Sequence, residues 1–396
     1  MTTFQPLPSR SPSASGPSTR TPIAVAPGDG IGPEILRATR PVLAAAGAPL
    51  TYHEITVGEA AYLSGVTSGV PAEAWDVVRR TGVLLKGPIT TPKGSGWKSV
   101  NVTIRKTLGL YANVRPCVSY APFVPGVDGM DVVVVRENEE DLYAGIEHRQ
   151  SQEVVQCLKL VSRAGCERIA RHAFDYARAH GRRKVTSIAK DNIMKLTDGL
   201  FQRTCAQVAR DYPEIEYEHQ IVDIGTARIA VRPKAYDVIV TMNLYGDILS
   251  DVAAEVAGSI RLAPSANIGR HAAMFEAIHG SAPDIAGKDV ANPSGLLLSA
   301  VQMLVHLGHG EVATRIQNAW LRTIEDGVHT ADIHREGHSA RRVGTQAFAE
   351  AVVERLGAAP QKLPAARFAS APAPAARTEE PTAPTFAPQQ KKLKGV

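Results

Sequence analysis

Ser99, Asn101, Arg105, Arg115 and Arg136 are the residues whose types and spacing point most directly to chemistry. In the run Lys98-Ser99-Val100-Asn101-Val102-Thr103-Ile104-Arg105, a helix would place Ser99 at its start and Asn101 and Arg105, four residues apart, along one side. Arg115 follows in the next strand, and Arg136 closes a later one. Arginine contacts carboxylates in bidentate fashion, while Ser and Asn add directed polar contacts. The set suits a small ligand carrying several carboxylates.

Asp247 and Asp251 stand at i and i+4 in Asn243-Leu244-Tyr245-Gly246-Asp247-Ile248-Leu249-Ser250-Asp251, on one face of a helix expected to follow a turn at Gly246. Hard divalent cations such as Mg²⁺ take carboxylates together with substrate oxygens and water. Asp223, read as the end of another strand, is a third candidate ligand. Any single Asp-x-x-x-Asp is usually ordinary. The anion-binding arginines give this one a purpose, because a metal would bridge it to a polycarboxylate. Tyr143 and Lys190, just past strand ends in polar loops, are the proton-transfer candidates. Taken singly, a surface Lys and a half-buried Tyr are unremarkable residues. The loop His279-Gly280-Ser281-Ala282-Pro283-Asp284-Ile285-Ala286-Gly287-Lys288, with Asn292, has small residues that permit close backbone approach to a ligand. Asp284 there suits a ribose diol and repels a 2′-phosphate.

The elements that must position these residues alternate between strand and helix, which argues an α/β architecture. Strands are expected at 23–26, 51–57, 82–86, 131–136, 184–188, 215–222 and 236–241. Helices are expected at 71–80, 164–180, 296–307, 311–325 and 345–356. Gly28-Asp29-Gly30-Ile31-Gly32-Pro33 is a strand-to-helix turn, but its spacing is GxGxG and not the dinucleotide GxGxxG. Residues 89–97, rich in Thr, Gly and Pro, sit where a lid over the ligand belongs.

A chain of 396 residues suggests two domains. The net charge is +5, aromatics are 5 %, and no basic run is interleaved with them, so nucleic-acid binding is not expected. No apolar run approaches the ~20 residues that span a membrane. Cys117, Cys157, Cys166 and Cys205 lack metal-ligand spacing and read as reduced thiols of a cytoplasmic protein. Residues 1–20 and 358–396 read as disordered tails.

Four motifs in one order, GDGIGPE, RENEEDLYAG, NLYGDILSD and HGSAPDIAGK, resemble the β-decarboxylating dehydrogenases, which act on isocitrate, 3-isopropylmalate, homoisocitrate or tartrate. The resemblance runs from about Ile23 to Gly357. It implies a two-domain, non-Rossmann α/β fold: a large cofactor-side domain at 21–113 and 265–357, and a small central domain at 114–264. The small domain would carry dimer contacts and a clasp-like excursion near 140–180. It also implies a homodimer whose cleft sites are completed by the second subunit.

The resemblance assigns Thr90, Ser99, Asn101, Arg105, Arg115, Arg136 and Asn192 to the substrate, with Lys86 at the base of the lid. Ser99 and Asn101 match the contacts to the γ-carboxylate of isocitrate. Tyr143 and Lys190 become catalytic, with Lys190, Asn192 and Asp223 given by the other subunit. Asp223, Asp247 and Asp251 would hold Mg²⁺ or Mn²⁺. Ile31, Glu276, His279, Gly280, Ser281, Ala282, Asp284, Ile285 and Asn292 would contact the cofactor. Asp284-Ile285 stands where NADP-using relatives place Lys-Tyr, so NAD⁺ is expected. The implied reaction is oxidation of isocitrate, loss of CO₂ and reprotonation to 2-oxoglutarate. The rivals are the same chemistry on homoisocitrate or 3-isopropylmalate, and a non-catalytic regulatory subunit.

Overall fold

A computed structural model describes residues 20–90 and 99–369. The chain runs β1 (Thr21–Ala26), α1 (Gly32–Ala45), β2 (Leu50–Glu54), α2 (Glu59–Leu63), α3 (Ala72–Thr81), β3 (Val83–Lys86), α4 (Val100–Thr107), β4 (Ala112–Val118) and β5 (Asp131–Glu137). Next come β6 (Asp141–Arg149), β7 (Val155–Leu160), α5 (Arg163–Ala179), β8 (Lys184–Ala189), α6 (Thr197–Ala209), β9 (Glu216–Ile221), α7 (Val222–Val231), β10 (Val238–Thr241) and α8 (Asn243–Ala257). It closes with β11 (Pro264–Ile268), β12 (Ala273–Ala277), α9 (Ser294–His306), α10 (Gly310–Glu325) and α11 (Thr345–Glu354).

Ten of these strands form one sheet in the order β2-β1-β3-β12-β11-β4-β5-β10-β8-β9. The outer pairings are parallel, whereas β12–β11, β11–β4 and β4–β5 are antiparallel. The two parallel wings therefore point in opposite directions. The expected domain boundaries at 113/114 and 264/265 fall inside β4 and β11, the strands at the junction. The lobes thus share a continuous ladder, which periodicity within single strands does not encode.

The sheet is buried on both faces. Alternate residues of β5 go to opposite sides: Val133 and Val135 pack with α1, α5, α6 and α9–α11, while Val132 and Val134 pack with α7 and α8. Farther along that second face, α3 and α4 cover Ala24, Leu84 and Met274. Helix α5 follows from its stripe of Ile169, Ala170, Ala173, Phe174 and Ala177 and from Ser162, whose hydroxyl caps it by accepting from Gly165 N at 3.0 Å.

Strands β6 and β7 form a separate hairpin with Ile146, Val155 and Leu158 exposed. It covers the first part of the expected clasp region, whereas the second part is α5, packed on the sheet. Lys159 tethers the hairpin through Asp198 at 2.7 Å and lies over the Tyr245 ring.

Four expectations are corrected. Tyr143 lies within β6 and not in a loop past a strand end. Asp223 is in the first turn of α7 and not at a strand end, because α7 follows β9 without a loop. Helix α8 begins at Asn243, before the glycine read as its preceding turn. Ordered chain continues past 358: Glu325 accepts from Gln361 and Lys362 backbone N–H groups at 2.6 Å, Thr314 accepts from Phe368 N at 2.9 Å, and Leu363 joins the core. Low-complexity composition hid this strap, because its hydrogen bonds come from distant side chains. Residues 1–19 and 370–396, the rest of the expected tails, lie outside the described residues.

Candidate active site

The site builds on the sheet face covered by α4 and α8. Ser99 is the N-cap residue of α4, and its hydroxyl makes no cap bond. Asn101 and Arg105 follow on the same helix. The Oδ1 of Asn101 and the Nε atoms of Arg105 and Arg115 are buried without a hydrogen-bond partner. Buried polar atoms are normally satisfied. Unpaired donors on two arginines fit an anionic ligand.

Arg115 on β4 donates to Ser250 Oγ at 2.6 Å and lies 3.4 Å from Asp247 Oδ1 and 3.5 Å from Asp251 Oδ1. Arg136, fully buried at the end of β5, holds Asn243 Oδ1 at 2.7 and 3.1 Å and pairs closely with Asp247. Asp247 also accepts from Tyr143 OH at 2.6 Å, and Arg136 stacks over the Tyr143 ring at 4.8 Å. Gly246 makes this possible, since a Cβ there would sit 2.5 Å from Arg136 Cγ. Asn243, Gly246, Asp247, Ser250 and Asp251 thus form one working face of α8. Asn243 and Ser250 were missed from the sequence, although their helical spacing from Asp247 was a legible signal.

Charge tuning follows from this packing. Burial pushes Asp247 up, but Arg136 and Arg115 outweigh it and hold its carboxyl below the usual range. For Asp251, burial wins over Arg115, and Asp247 adds repulsion, so its carboxyl is raised. Burial, with Arg115 and Arg105 nearby, lowers Arg136 to about 10, still charged at neutral pH. Burial and the bond to Asp247 hold the Tyr143 phenol above its ordinary value.

Lys190 and Asp223 pair with each other at 2.5 Å and remain accessible, with side chains 27 % and 68 % exposed. No hydrogen bond or ion pair among the described residues connects them or Asn192, which is exposed, to Tyr143, Asp247 or Asp251. The single chain does not bring these two groups together. Near them in sequence Ile193, Leu196 and Ile224 are exposed apolar residues, and Ile248 is exposed beside Asp247.

The cofactor candidates gather round the Gly28–Gly32 turn. Ile31 N donates to Ser281 O at 2.8 Å, and a Cβ on Gly30 would come within 2.0 Å of that oxygen. Thr90 Oγ1 lies 2.7 Å from Ser281 Oγ, and Thr90 N donates to Asp29 at 2.9 Å. Ala282 adopts a left-handed backbone, Gly280 and Asp284 are exposed, and Ile285 is partly covered. Asn292 bonds Asp332 at 3.1 Å, and His279 Nε2 is buried without a partner. That orphaned nitrogen and the close loop fit a bound cofactor. Residues 91–98, most of the expected lid and Lys98 of the opening run, lie outside the described residues.

Two positions differ from expectation. Glu276 lies beneath the loop, 4 % exposed, with its carboxylate taken up by Lys86, Arg105 and Asn267 rather than open to a cofactor. Lys86, expected at the lid's base, is fully buried in that cluster. Neighbouring strands, unreadable from local sequence, decide both. For a metal, no group of three His, Cys, Asp or Glu suited to one occurs among the described residues. Asp247 and Asp251 supply two carboxylates from one helix face, which fits a hard cation that draws its other ligands from substrate and water.

A family profile described as isocitrate/isopropylmalate dehydrogenase matches residues 22–352. An isocitrate dehydrogenase [NADP] of Rickettsia bellii is 57 % identical over 349 residues, spanning 88 % of this chain and 72 % of that one. An isocitrate dehydrogenase [NAD] catalytic subunit 5, mitochondrial, of Arabidopsis thaliana is 45 % identical, spanning 86 % of this chain and 90 % of that one. A solved protein of Thermus thermophilus superposes with a TM-score of 0.85 at 49 % identity, covering 90 % of this chain and 72 % of that one.

Proposed function

The chain belongs to the isocitrate/isopropylmalate dehydrogenase family, and on that premise we propose that it oxidatively decarboxylates isocitrate to 2-oxoglutarate and CO₂. One observation carries the choice of substrate: the uncapped Ser99 hydroxyl and the Asn101 amide, whose Nδ2 is the donor a carboxylate needs, stand on the same helix as the partnerless Arg105 Nε. A polar wall of this kind pairs with a third carboxylate and is left unpaired by an isopropyl group, a discrimination that reaches ~10⁴ in sites built this way.

When bound, a divalent cation held by Asp247 and Asp251 supplies Lewis-acid polarisation, and the nicotinamide supplies the hydride acceptor. The chain's own residues do the rest. Arg105, Arg115 and Arg136 fix the carboxylates and so orient C2. Ser250 and Asn243 keep two of those guanidiniums aimed. Tyr143, its phenol held protonated, delivers the proton to C3 after CO₂ departs. Lys190 takes the hydroxyl proton. Since no hydrogen bond or ion pair among the described residues joins it to Tyr143, we assign it, with Asn192 and Asp223, to the site of a second copy in a homodimer.

For the cofactor we propose NAD⁺, because the exposed Asp284 carboxylate repels a 2′-phosphate. The name of the Rickettsia relative favours NADP⁺ as the second reading. The test is a panel of isocitrate, homoisocitrate and 3-isopropylmalate, each with NAD⁺ and NADP⁺ and with a chelator control. Turnover of isocitrate with NAD⁺, abolished by the chelator, is expected. Turnover of 3-isopropylmalate alone overturns the substrate, and a higher kcat/KM with NADP⁺ overturns the cofactor.

A further inference from the structure

We propose that Glu276 is a positioning residue for substrate binding: its buried carboxylate, itself aimed by an asparagine chain, holds the Arg105 guanidinium toward the substrate's carboxylate. The proposal rests on the reading of Arg105 as a substrate contact.

Glu276 stands on β12 opposite Lys86 of β3 and Ser265 of β11. Its two oxygens have different work. Oε2 lies 2.7 Å from Lys86 Nζ, while Oε1 accepts from Arg105 Nη2 and from Asn267 Nδ2, both at 3.0 Å. Neutralising Lys86 occupies only one oxygen. The other is committed to Arg105, whose side chain arrives from a different element, α4.

The carboxylate cannot turn away, because the Asn267 amide is itself oriented. Asn267 Oδ1 accepts from Asn113 Nδ2 at 3.0 Å and from Asn138 Nδ2 at 3.1 Å. With its oxygen facing two donors, Nδ2 must face Glu276. Asn113 and Asn267 are fully buried and Asn138 nearly so. The chain of bonds therefore runs from the end of β5 through β4 and β11 to β12 and reaches α4, crossing the junction between the two wings of the sheet.

Arg105 shows what this accomplishes. Nη2 is pinned on Glu276, whereas Nε is buried with no partner. A guanidinium is a rigid planar fork, so fixing one nitrogen fixes the direction of the others. Two cations share one anion here, leaving the Lys86–Glu276–Arg105 group with a surplus positive charge. A pre-aimed fork with surplus charge binds a carboxylate without first having to order a long side chain.

Two variants separate positioning from simple charge balance: Glu276→Gln, and the charge-balanced double variant Glu276→Gln/Lys86→Met. In both, isocitrate KM is expected to rise about 10- to 100-fold, the loss typical of one charge-assisted contact. Cofactor KM should move less than about threefold and kcat less than about tenfold. The double variant should regain thermal stability without regaining isocitrate affinity. If Glu276→Gln fails to fold, the double variant carries the test. A rise in cofactor KM with isocitrate KM unchanged overturns the proposal, as does a double variant with wild-type isocitrate KM. Absence of isocitrate turnover by the wild-type enzyme overturns the proposed function instead. In that event a crystal structure of the double variant decides the positioning claim. An Arg105 guanidinium in its present place overturns it, and a displaced one bears it out.

Discussion

Two charged groups of this protein behave in opposite ways. Arg136, Arg115, Tyr143 and Asp247 are packed against the sheet and bonded to one another and to α8. Lys190 and Asp223 form a single accessible pair farther out on the same wing, just past β8 and β9. The buried group is held by several bonds per residue, so losing one member strands the rest in a low-dielectric place. The exposed pair is screened by water and contributes little to stability. Residues with equal claims to the chemistry therefore carry unequal structural roles. Ile193 and Ile224, close to the outward pair in sequence, are exposed apolar side chains.

The sharpest way to break that contrast is complementation. Tyr143→Phe and Lys190→Met should each lower kcat by about 10²–10⁴. If the exposed pair serves a second copy, refolding the two inactive variants together restores activity. Half of randomly assorted dimers are mixed and one of two sites in each is whole, so about a quarter of wild-type activity returns. No recovery in a steady-state assay means that each chain completes its own site.

A second test compares the two aspartates. Asp247→Asn and Asp223→Asn should both cost about 10²–10³ in kcat/KM through a weakened metal site. Only the first should also lower Tm, by several degrees, because Arg136 and Arg115 lose a shared partner; calorimetry reads the difference. Equal Tm losses would erase the distinction drawn between the regions.

Third, Asp284 is exposed, and the proposed NAD⁺ preference rests on its charge. Asp284→Lys with Ile285→Tyr should shift the NADP⁺/NAD⁺ ratio of kcat/KM toward NADP⁺ by about 10- to 100-fold. Isocitrate KM, set across the cleft, should stay nearly unchanged.

The smallest effect concerns Glu137, next to Arg136 but without a cation of its own. Burial pushes it to about 7, against the backbone N–H bonds from Glu139 and Glu140 that favour its charge. The folded value lies above the unfolded one of about 4.3. Its contribution is therefore full below about pH 4 and is lost as pH rises through about 7. Glu137→Gln should flatten the fall in Tm between about pH 4 and 7, a change on the order of a few kcal/mol. Glu276 behaves oppositely: burial would raise it, but Lys86 and Arg105 win and hold it well below the carboxylate range.

Much of the site was legible because its signals are local. Helical i, i+4 spacing placed Asn101 and Arg105 on one side of α4 with Ser99 at its start, and the same spacing placed Asp247 and Asp251 on one face of α8. The apolar run of β5 announced a buried strand ending in Arg136. Glu276 was misplaced because it is adjacent in sequence to the cofactor loop, while its partners lie on β3, α4 and β11. Gly246 looked like a turn, yet its function is to let Arg136 pass beneath a helix. The 361–368 strap was invisible because low-complexity chain takes its order from Glu325, Asn318 and Thr314.

The sequence by itself determined the α/β class, the chemistry of the anion-binding and carboxylate groups and the family to which they point. Periodicity and motif spacing are properties of neighbouring residues, and those survive without a fold. Only the tertiary structure decided which charges are buried and which stay wet. It alone joined the two wings through β4 and β11, turned Glu276 toward Arg105 and left Lys190 with Asp223 apart from Tyr143. Each of those outcomes depends on which strand lies beside which, and on the dielectric that follows from that packing.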